Sequence, residues 1–263
     1  MSTTPADPGA AGIRAAATPA AAGGKPELAG QTVVVIGGSG GIGLETARRA
    51  RAEGAEVILT GRNRDRLSRA AGDVGAKNTA AFDAADTTAL QRFFHDLPAP
   101  IDHVMVTAGG PAYGPLLEMH SAQVRDALSD RIVVGLEVAR NAVGKMRPGG
   151  TLILMGGTGG RRVGHGPGIA SAVGAALPPF AAALALEVAP VRVNLIAAGF
   201  VDTPLSASLL GGQLEERRKE LRDTLPIGRV VTPADVAALA VHIMTNTAIT
   251  GATYDIDGGQ QFV

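Results

Sequence analysis

The stretch VVVIGGSGGIG, Val33 to Gly43, decides the fold. Val33–Ile36 reads as a buried strand, and Gly37, Gly41 and Gly43 then lead into IGLETARRARAEGA, in which Ile42, Ala47, Ala50 and Ala52 fall near helical spacing before Gly54 stops the helix. A strand that turns into a helix through glycines has a chemical use. Glycine permits the tight turn and lets backbone N–H groups, together with the positive helix end, approach a phosphate where side chains would intervene. The spacing is GxxxGxG, which also fits a merely flexible strand–helix turn. The strand before it and the amphipathic helix after it favour a dinucleotide site formed by Gly37, Ser39, Gly40, Gly41, Ile42 and Gly43.

Outward from this turn, short apolar runs alternate with helical segments, the pattern of a parallel sheet covered on both faces. The expected strands are Thr32–Ile36, Glu56–Thr60, Asn78–Phe82, His103–Val106, Thr151–Met155, Arg192–Ile196 and Thr253–Ile256. Asp86 is placed to cap the helix after the third strand. Segments 121–146 and 168–188 read as long crossover helices, and 233–245 opens on Thr232-Pro233, a good helical start. The fold class is therefore α/β: a doubly wound, mostly parallel seven-stranded sheet with helices on both faces. Gly156–Gly168 and the stretch from Thr203 to Gly228 lie outside this simple alternation.

Composition narrows the function. The chain has 263 residues, 46% of them hydrophobic, enough for one large core over residues 29–263. Residues 1–28, rich in Ala, Pro, Gly and Thr, bury too little to offset their ordering entropy and are expected to form a flexible tail. Their only basic side chains, Arg14 and Lys25, make a poor secretory signal. Lysine plus arginine equals aspartate plus glutamate at 24 each, which argues against a general nucleic-acid binder. With 0 cysteines, disulfide scaffolds, cysteine nucleophiles and thiolate metal sites are excluded. No histidine–carboxylate cluster has metal-ligand spacing, and no run of about 18 apolar residues follows the tail, so neither a metal nor a membrane is expected. The default location is the cytoplasm.

The second strand ends in VILTGRN. An acidic residue there would accept hydrogen bonds from the adenosine ribose of a dinucleotide. This chain has Gly61 and Arg62 instead, with Arg64 nearby. A carboxylate would repel a 2′-phosphate and a guanidinium binds it, so the expected cofactor is NADP(H) rather than NAD(H). The competing reading is that Arg62 and Arg64 simply begin a solvated helix. Asp83, after the third strand, is expected to meet the adenine or to form a turn.

Several further stretches accumulate: Thr107-Ala108-Gly109, LALEVAPVRVNLIAAGFVDTP at 184–204, GRVVTPADVAALAV at 228–241 and ITGATYDIDGG at 249–259. With the glycine turn, they make the chain resemble the short-chain dehydrogenase/reductase family over about residues 29–263, which implies a Rossmann-like fold. The resemblance places Thr107, Ala108 and Gly109 beside the adenosine side of the cofactor. It places Ile196, Gly199 and Thr203 around the nicotinamide, with Thr203 holding the carboxamide. It also implies a homodimer or homotetramer and a small-molecule substrate.

The same resemblance exposes a loss. The family's YxxxK motif falls on Ala170 and Gly174, its serine on Gly157, and its asparagine in the Asp130–Ile132 region, where no asparagine stands. Alanine and glycine can neither donate a proton nor lower the pKa of a donor. The family's Pro-Gly after the sixth strand is Ala198-Gly199, and Pro178 and Pro179 fall inside the long helix after Gly174, predicting a bend there. His165 in GRRVGHGPG and Tyr113 in GGPAYGP are the candidate replacement acids. Arg161, Arg162 and the Asp130–Arg131 pair are candidate polar groups of the pocket, with a solvated surface the favoured reading for them. Ser171 supplies a hydroxyl about 100° around the helix from Ala170. Residues 203–228 read as a lid: Leu205, Leu209 and Leu210 to cover an apolar carbonyl substrate, and QLEERRKELRD as an ion-paired helix. Two functions follow, an NADP(H)-dependent oxidoreductase interconverting carbonyl and alcohol at an atypical site, or a catalytically inactive NADP(H)-binding sensor or scaffold. A non-redox enzyme reusing the cleft is a third reading.

Overall fold

Strand β1 (Thr32–Ile36) sends Val34 and Ile36 to one face and Val33 and Val35 to the other, and none of the four has exposed surface. A strand buried on both faces belongs in the middle of a parallel sheet. The computed structural model, which describes residues 26–161 and 168–263, places it there. The other strands are β2 (Glu56–Gly61), β3 (Asn78–Ala81), β4 (Ile101–Val106), β5 (Met146–Gly157), β6 (Arg192–Ala198) and β7 (Thr253–Ile256). Their order across the sheet is β3-β2-β1-β4-β5-β6-β7, and every pair is parallel.

The helices are α1 (Gly41–Ala52), α2 (Arg64–Val74), α3 (Thr87–Asp96), α4 (Ser121–Leu128), α5 (Val134–Ala142), α6 (Gly168–Glu187), α7 (Pro204–Leu210), α8 (Leu214–Thr224) and α9 (Pro233–Thr245). Helices α1, α2 and α9 cover the face lined by Val33, Val35, Ile153 and Ile196, and α3, α5 and α6 cover the face lined by Val34, Val104, Leu152 and Leu195. The chain winds from β1 outward to β3, then returns to set β4 on the other side of β1. The carboxyl ends of β1 and β4 therefore diverge at a topological switch point, where open α/β sheets bind ligands.

Local chemistry matches these elements. Asp86 Oδ1 accepts from the backbone N–H of Ala89 at 3.0 Å and so caps α3, and Asn63 Oδ1 caps α2 by accepting from Arg66 at 2.8 Å. Two expectations need correction. Leu28, assigned to the flexible tail, is fully buried against the core that includes Val33 and Ala50, because its backbone N–H is fixed to the carbonyl of Glu53 at 2.9 Å. Segment 121–146 is not one helix: α4 and α5 are joined by a π-helical turn, Ser129–Val133. Helix α6 includes both Pro178 and Pro179. At 20 residues with mean hydropathy 1.8, α6 also has the length and composition to cross a membrane; Ile169, Val173, Leu177, Ala181 and Leu184 bury it against the sheet.

One buried group gives the fold a pH dependence. His103 on β4 is 3% exposed, with Nε2 2.6 Å from Gln31 Oε1 and Nδ1 without a partner among the described residues. Burial, helped by the nearby positive Arg192, pushes its pKa from 6.5 down to about 3. Between those values the unfolded chain takes up a proton that the folded chain refuses. The stability from the neutral ring is thus complete above about pH 6.5 and is lost as pH falls toward about 3, by up to about 1.4 kcal/mol per pH unit. Urea unfolding between about pH 7 and pH 4.5 should show this decline, and His103→Gln should flatten it. Equal slopes for the two proteins would refute the assignment.

Candidate active site

The glycine turn and the turn after β4 are stitched together at the switch point. Backbone N–H groups of Thr107 and Ala108 both donate to the carbonyl of Ile36, at 2.8 and 3.0 Å, and Thr107 Oγ1 donates to the carbonyls of Ile36 and Gly37, at 3.2 and 3.1 Å. Gly37 has φ +98°, and a Cβ on it would lie 2.7 Å from both Ala108 N and Thr107 Oγ1. Only glycine fits such a position. Gly43 begins the second half of the same contact, since a Cβ there would lie 2.5 Å from the carbonyl oxygen of Gly37.

The opposite side of the turn is open. A Cβ on Gly40 would meet nothing within 4 Å, and no side chain caps the start of α1, whereas α2, α3 and α7 are capped by Asn63, Asp86 and Thr203. No acidic residue lies in the first turn of α1. Free N–H groups and an unopposed helix dipole at an open face suit a phosphate. Thr203 closes the far side, its Cβ 3.5 Å from where a Cβ on Gly41 would stand, and its hydroxyl already accepts from Ser206 N at 3.1 Å.

Beside the turn, a Cβ on Gly61 would lie 2.8 Å from Ser39 Oγ, so a side chain at the end of β2 would have to displace the Ser39 hydroxyl. Arg62 follows with its side chain 77% exposed and Nη1 3.8 Å from Asp83 Oδ2. The two residues expected at the adenosine end thus stand together. Arg66 and Arg69 of α2 join Ser39 and Leu44 around an adjoining groove of about 290 Å³, a basic contribution not anticipated from the sequence.

At the reaction end the losses become geometric. Gly157 ends β5, and the 3₁₀ turn Thr158–Gly160 then packs directly on α6. A Cβ on Gly174 would lie 3.1 Å from the carbonyl oxygen of Gly157 and 3.2 Å from Gly160 N, and a Cβ on Gly160 would lie 2.5 Å from Ala175 N. Backbone occupies the space through which the family's lysine would leave the helix. Ser171 is buried, its Oγ unpartnered among the described residues and 3.9 Å from where a Cβ on Gly159 would stand.

Other expected site residues divide. Gly199 backs onto the C-terminal segment, since a Cβ there would lie 2.6 Å from both Asp257 Cβ and Gln260 Oε1, and Gln260 Oε1 accepts from Phe200 N at 2.7 Å. Gln260 is thus a support for this loop that the sequence reading missed. Ile196 does not border the cleft: it is fully buried in the middle of β6, because both faces of a central strand are covered and only residues past its carboxyl end reach the opening. Arg161 is ion-paired with Asp255 of β7, so it is not a free oxyanion donor. His165 and Arg162 lie outside the described residues.

Arg131 departs most from expectation. It is half-buried rather than solvated, with Nη1 donating to the carbonyl of Met155 on β5 at 3.4 Å, and burial holds its pKa below the ordinary arginine value. Tyr113 stands within electrostatic range of it and is 59% exposed as a residue. Partial burial raises the phenol's pKa, while positive Arg131 and Arg217 pull it back. The phenol therefore stays protonated at neutral pH and can donate a hydrogen bond. The segment expected to form a lid folds as α7 and α8. Arg218 on α8 pairs with Asp202 at 2.6 Å, Arg217 with Glu220 at 2.7 Å and Lys219 with Asp223 at 3.0 Å, while Leu205 and Leu209 on α7 remain about half exposed.

Comparison with known proteins agrees with this geometry. Residues 37–261 match the family model described as enoyl-(acyl carrier protein) reductase. Among curated relatives, the human 3-oxoacyl-[acyl-carrier-protein] reductase is 29% identical over 237 residues, covering 87% of this chain and 97% of that protein. The NADP-dependent (R)-specific alcohol dehydrogenase of Lentilactobacillus kefiri is 28% identical over 247 residues, covering 88% and 97%. Among solved structures, BdcA in complex with NADPH superposes with a TM-score of 0.80 at 28% identity, covering 89% of this chain and 95% of that one. The chain belongs to the short-chain dehydrogenase/reductase family.

Proposed function

We propose that this protein is an NADP(H)-dependent oxidoreductase that interconverts a carbonyl and an alcohol on a small, partly apolar molecule. The observation that carries the reading is the uncapped, open start of α1 at Gly40, flanked by Arg62 where an NAD(H) site would hold a carboxylate. Relatives described as NADP-dependent or solved with NADPH support the same cofactor. When bound, the cofactor supplies or accepts the hydride. The N–H groups of Gly41, Ile42 and Gly43 hold the pyrophosphate, Arg62 the 2′-phosphate, Asp83 and the Thr107–Gly109 turn the adenosine side, and Gly199 and Thr203 the nicotinamide side. The lid at 203–228 excludes water. Tyr113 would donate to the substrate oxygen, a role supported by its protonated phenol near Arg131, and His165 is the alternative acid. Without the family's serine, tyrosine and lysine, rate acceleration rests on positioning and charge, so turnover is slow. The exposed small residues of α6, Ala172, Ala175, Ala176 and Ala183, form the contact of a homodimer or homotetramer working in the cytoplasm.

A second reading is favoured by the packing of Gly160 on Gly174: a fold that binds NADP(H) as a sensor or scaffold and catalyses nothing. Incubating the protein with NADPH and a panel of aldehydes and ketones separates the two. The oxidoreductase reading expects NADPH oxidation above the protein-free rate, reduced about tenfold or more in Tyr113→Phe. Binding of NADPH without oxidation by any carbonyl leaves the sensor reading. The cofactor preference has its own test. Arg62→Ala should weaken NADPH binding by about tenfold to a hundredfold and leave NADH affinity unchanged, because only the 2′-phosphate contact is removed. Equal loss for both nucleotides would contradict that role.

A further inference from the structure

Helix α4 does not pass smoothly into α5. The π-helical turn Ser129–Val133 inserts a wider turn between them, and π turns of this kind re-aim the side chains they carry. Its consequences are visible on both sides. The carbonyl oxygen of Asp130 comes within 2.7 Å of where a Cβ on Gly109 would stand, so the turn leans against the end of β4. Arg131 reaches the carbonyl of Met155, two residues before Gly157 at the end of β5. The guanidinium is thereby brought to the carboxyl end of the strand that bears the family's serine position, where a substrate oxygen would react.

Around the reaction end of the cleft, Arg161 has the carboxylate of Asp255, Arg217 has that of Glu220 and Arg218 has those of Asp202 and Glu215, and at the adenosine end Arg62 has that of Asp83. Arg131 has none within 4.0 Å among the described residues, and the neighbouring Asp130 does not close on it. Outside the described residues, 162–167 (Arg-Val-Gly-His-Gly-Pro) contain no acidic side chain and 1–25 contain one, Asp7. A guanidinium offers five N–H donors in a planar fork, and among the described residues Arg131 uses one of them, at the long distance of 3.4 Å. Removing such a cation from water is costly unless an anion completes it, and the geometry that completes it best is a carboxylate meeting the fork with both oxygens.

We propose that Arg131 determines substrate specificity: the substrate is an oxo acid or hydroxy acid whose carboxylate is held by the Arg131 guanidinium, with its apolar remainder under α7. This rests on the cleft being the reaction site described above and names the class of molecule it takes. Tyr113 lies close enough to Arg131 to feel its charge and supplies a second donor at the same end of the molecule. Leu205 and Leu209 supply apolar cover.

The test is calorimetric titration of the full-length protein, alone and with NADPH, using octanoate and phenylacetate against octanamide and phenylacetamide. These pairs share shape and differ in charge. Carboxylates are expected to bind at least about tenfold tighter than their amides, at about pH 6.5 and at about pH 8.5 alike, because arginine keeps its charge across that range. Arg131→Gln should abolish the preference and Arg131→Lys should retain part of it. Affinity for NADPH should be unchanged in both variants, which shows that they remain folded. Equal binding of acids and amides, no binding of either acid, or a preference that survives Arg131→Gln overturns the proposal. So does a preference lost by about pH 8.5, which would assign the anion to a histidine. Failure of NADPH to bind sinks the oxidoreductase reading separately, since the preference is also read without cofactor.

Discussion

Gly43→Val should abolish measurable NADPH binding, with affinity falling by at least about a hundredfold and folding stability by about 1–3 kcal/mol. The first atom of any side chain at this position would lie 2.5 Å from the carbonyl oxygen of Gly37 and 2.6 Å from Thr107 Oγ1. These atoms belong to the two turns that meet at the switch point, and Thr107 Oγ1 is bonded to that same carbonyl. Neither neighbour is the free end of a flexible chain. Valine must therefore push the start of α1 away from the end of β4, displacing the N–H groups proposed to hold the pyrophosphate. Gly40→Ala is the matched control, because its Cβ meets no atom within 4 Å and the variant should unfold like the wild type. Nucleotide titration with urea unfolding reads both quantities, and a Gly43→Val protein that binds NADPH normally would remove the turn from the site.

Arg192→Leu should be the most damaging single change to stability, costing about 3–5 kcal/mol and lowering the melting temperature by about 10 °C. Arg192 is 6% exposed at the start of β6, and its guanidinium donates to five backbone carbonyls: Gly149 at 3.0 Å, Ile243 at 2.9 Å, Met244 at 2.9 Å, Asn246 at 3.1 Å and Ile249 at 3.0 Å. Three of these close the carboxyl end of α9, where the helix dipole favours positive charge. Leucine removes all five donors: the Ile249 carbonyl keeps Asn194 Nδ2 at 3.1 Å, while the other four lose the partner that satisfies them here. Lysine offers three donors from one nitrogen and cannot span them, so Arg192→Lys should recover less than half the loss. Both values come from thermal and urea unfolding. A loss under about 1 kcal/mol for Arg192→Leu would show that water replaces the fork and that the clamp contributes little.

Much of this fold was legible because buried parallel strands announce themselves. β1 and β7 have the bounds read from the sequence, and Asp86 and Thr232-Pro233 start their helices as expected. Boundaries failed where a local irregularity replaced a pattern. β5 begins at Met146, before the Pro-Gly-Gly that reads as a turn, because its pairing with β4 shifts register between Ile101 and His103. The proposed cofactor half was readable in advance, since its glycines and Arg62 would act through backbone approach and charge at fixed positions along the chain. The reaction half was not. Arg131 reads as solvated from its charged neighbour Asp130, and nothing in SDRIV signals the π-helical turn that directs it inward. Ile196 misled for the opposite reason: the motif places it near the nicotinamide, but its position within β6 seals it in the core. By the resemblance the family's serine, tyrosine and lysine positions fall on Gly157, Ala170 and Gly174, and only the structure shows backbone of the Thr158–Gly160 turn packed against Gly174.

Titration calorimetry of the wild-type protein with NADPH, and with NADH for comparison, tests the dinucleotide site most directly. The open start of α1 with Arg62 beside it predicts one saturable site, with NADPH bound at least about tenfold more tightly than NADH. No binding of either nucleotide, or tighter binding of NADH, would contradict it.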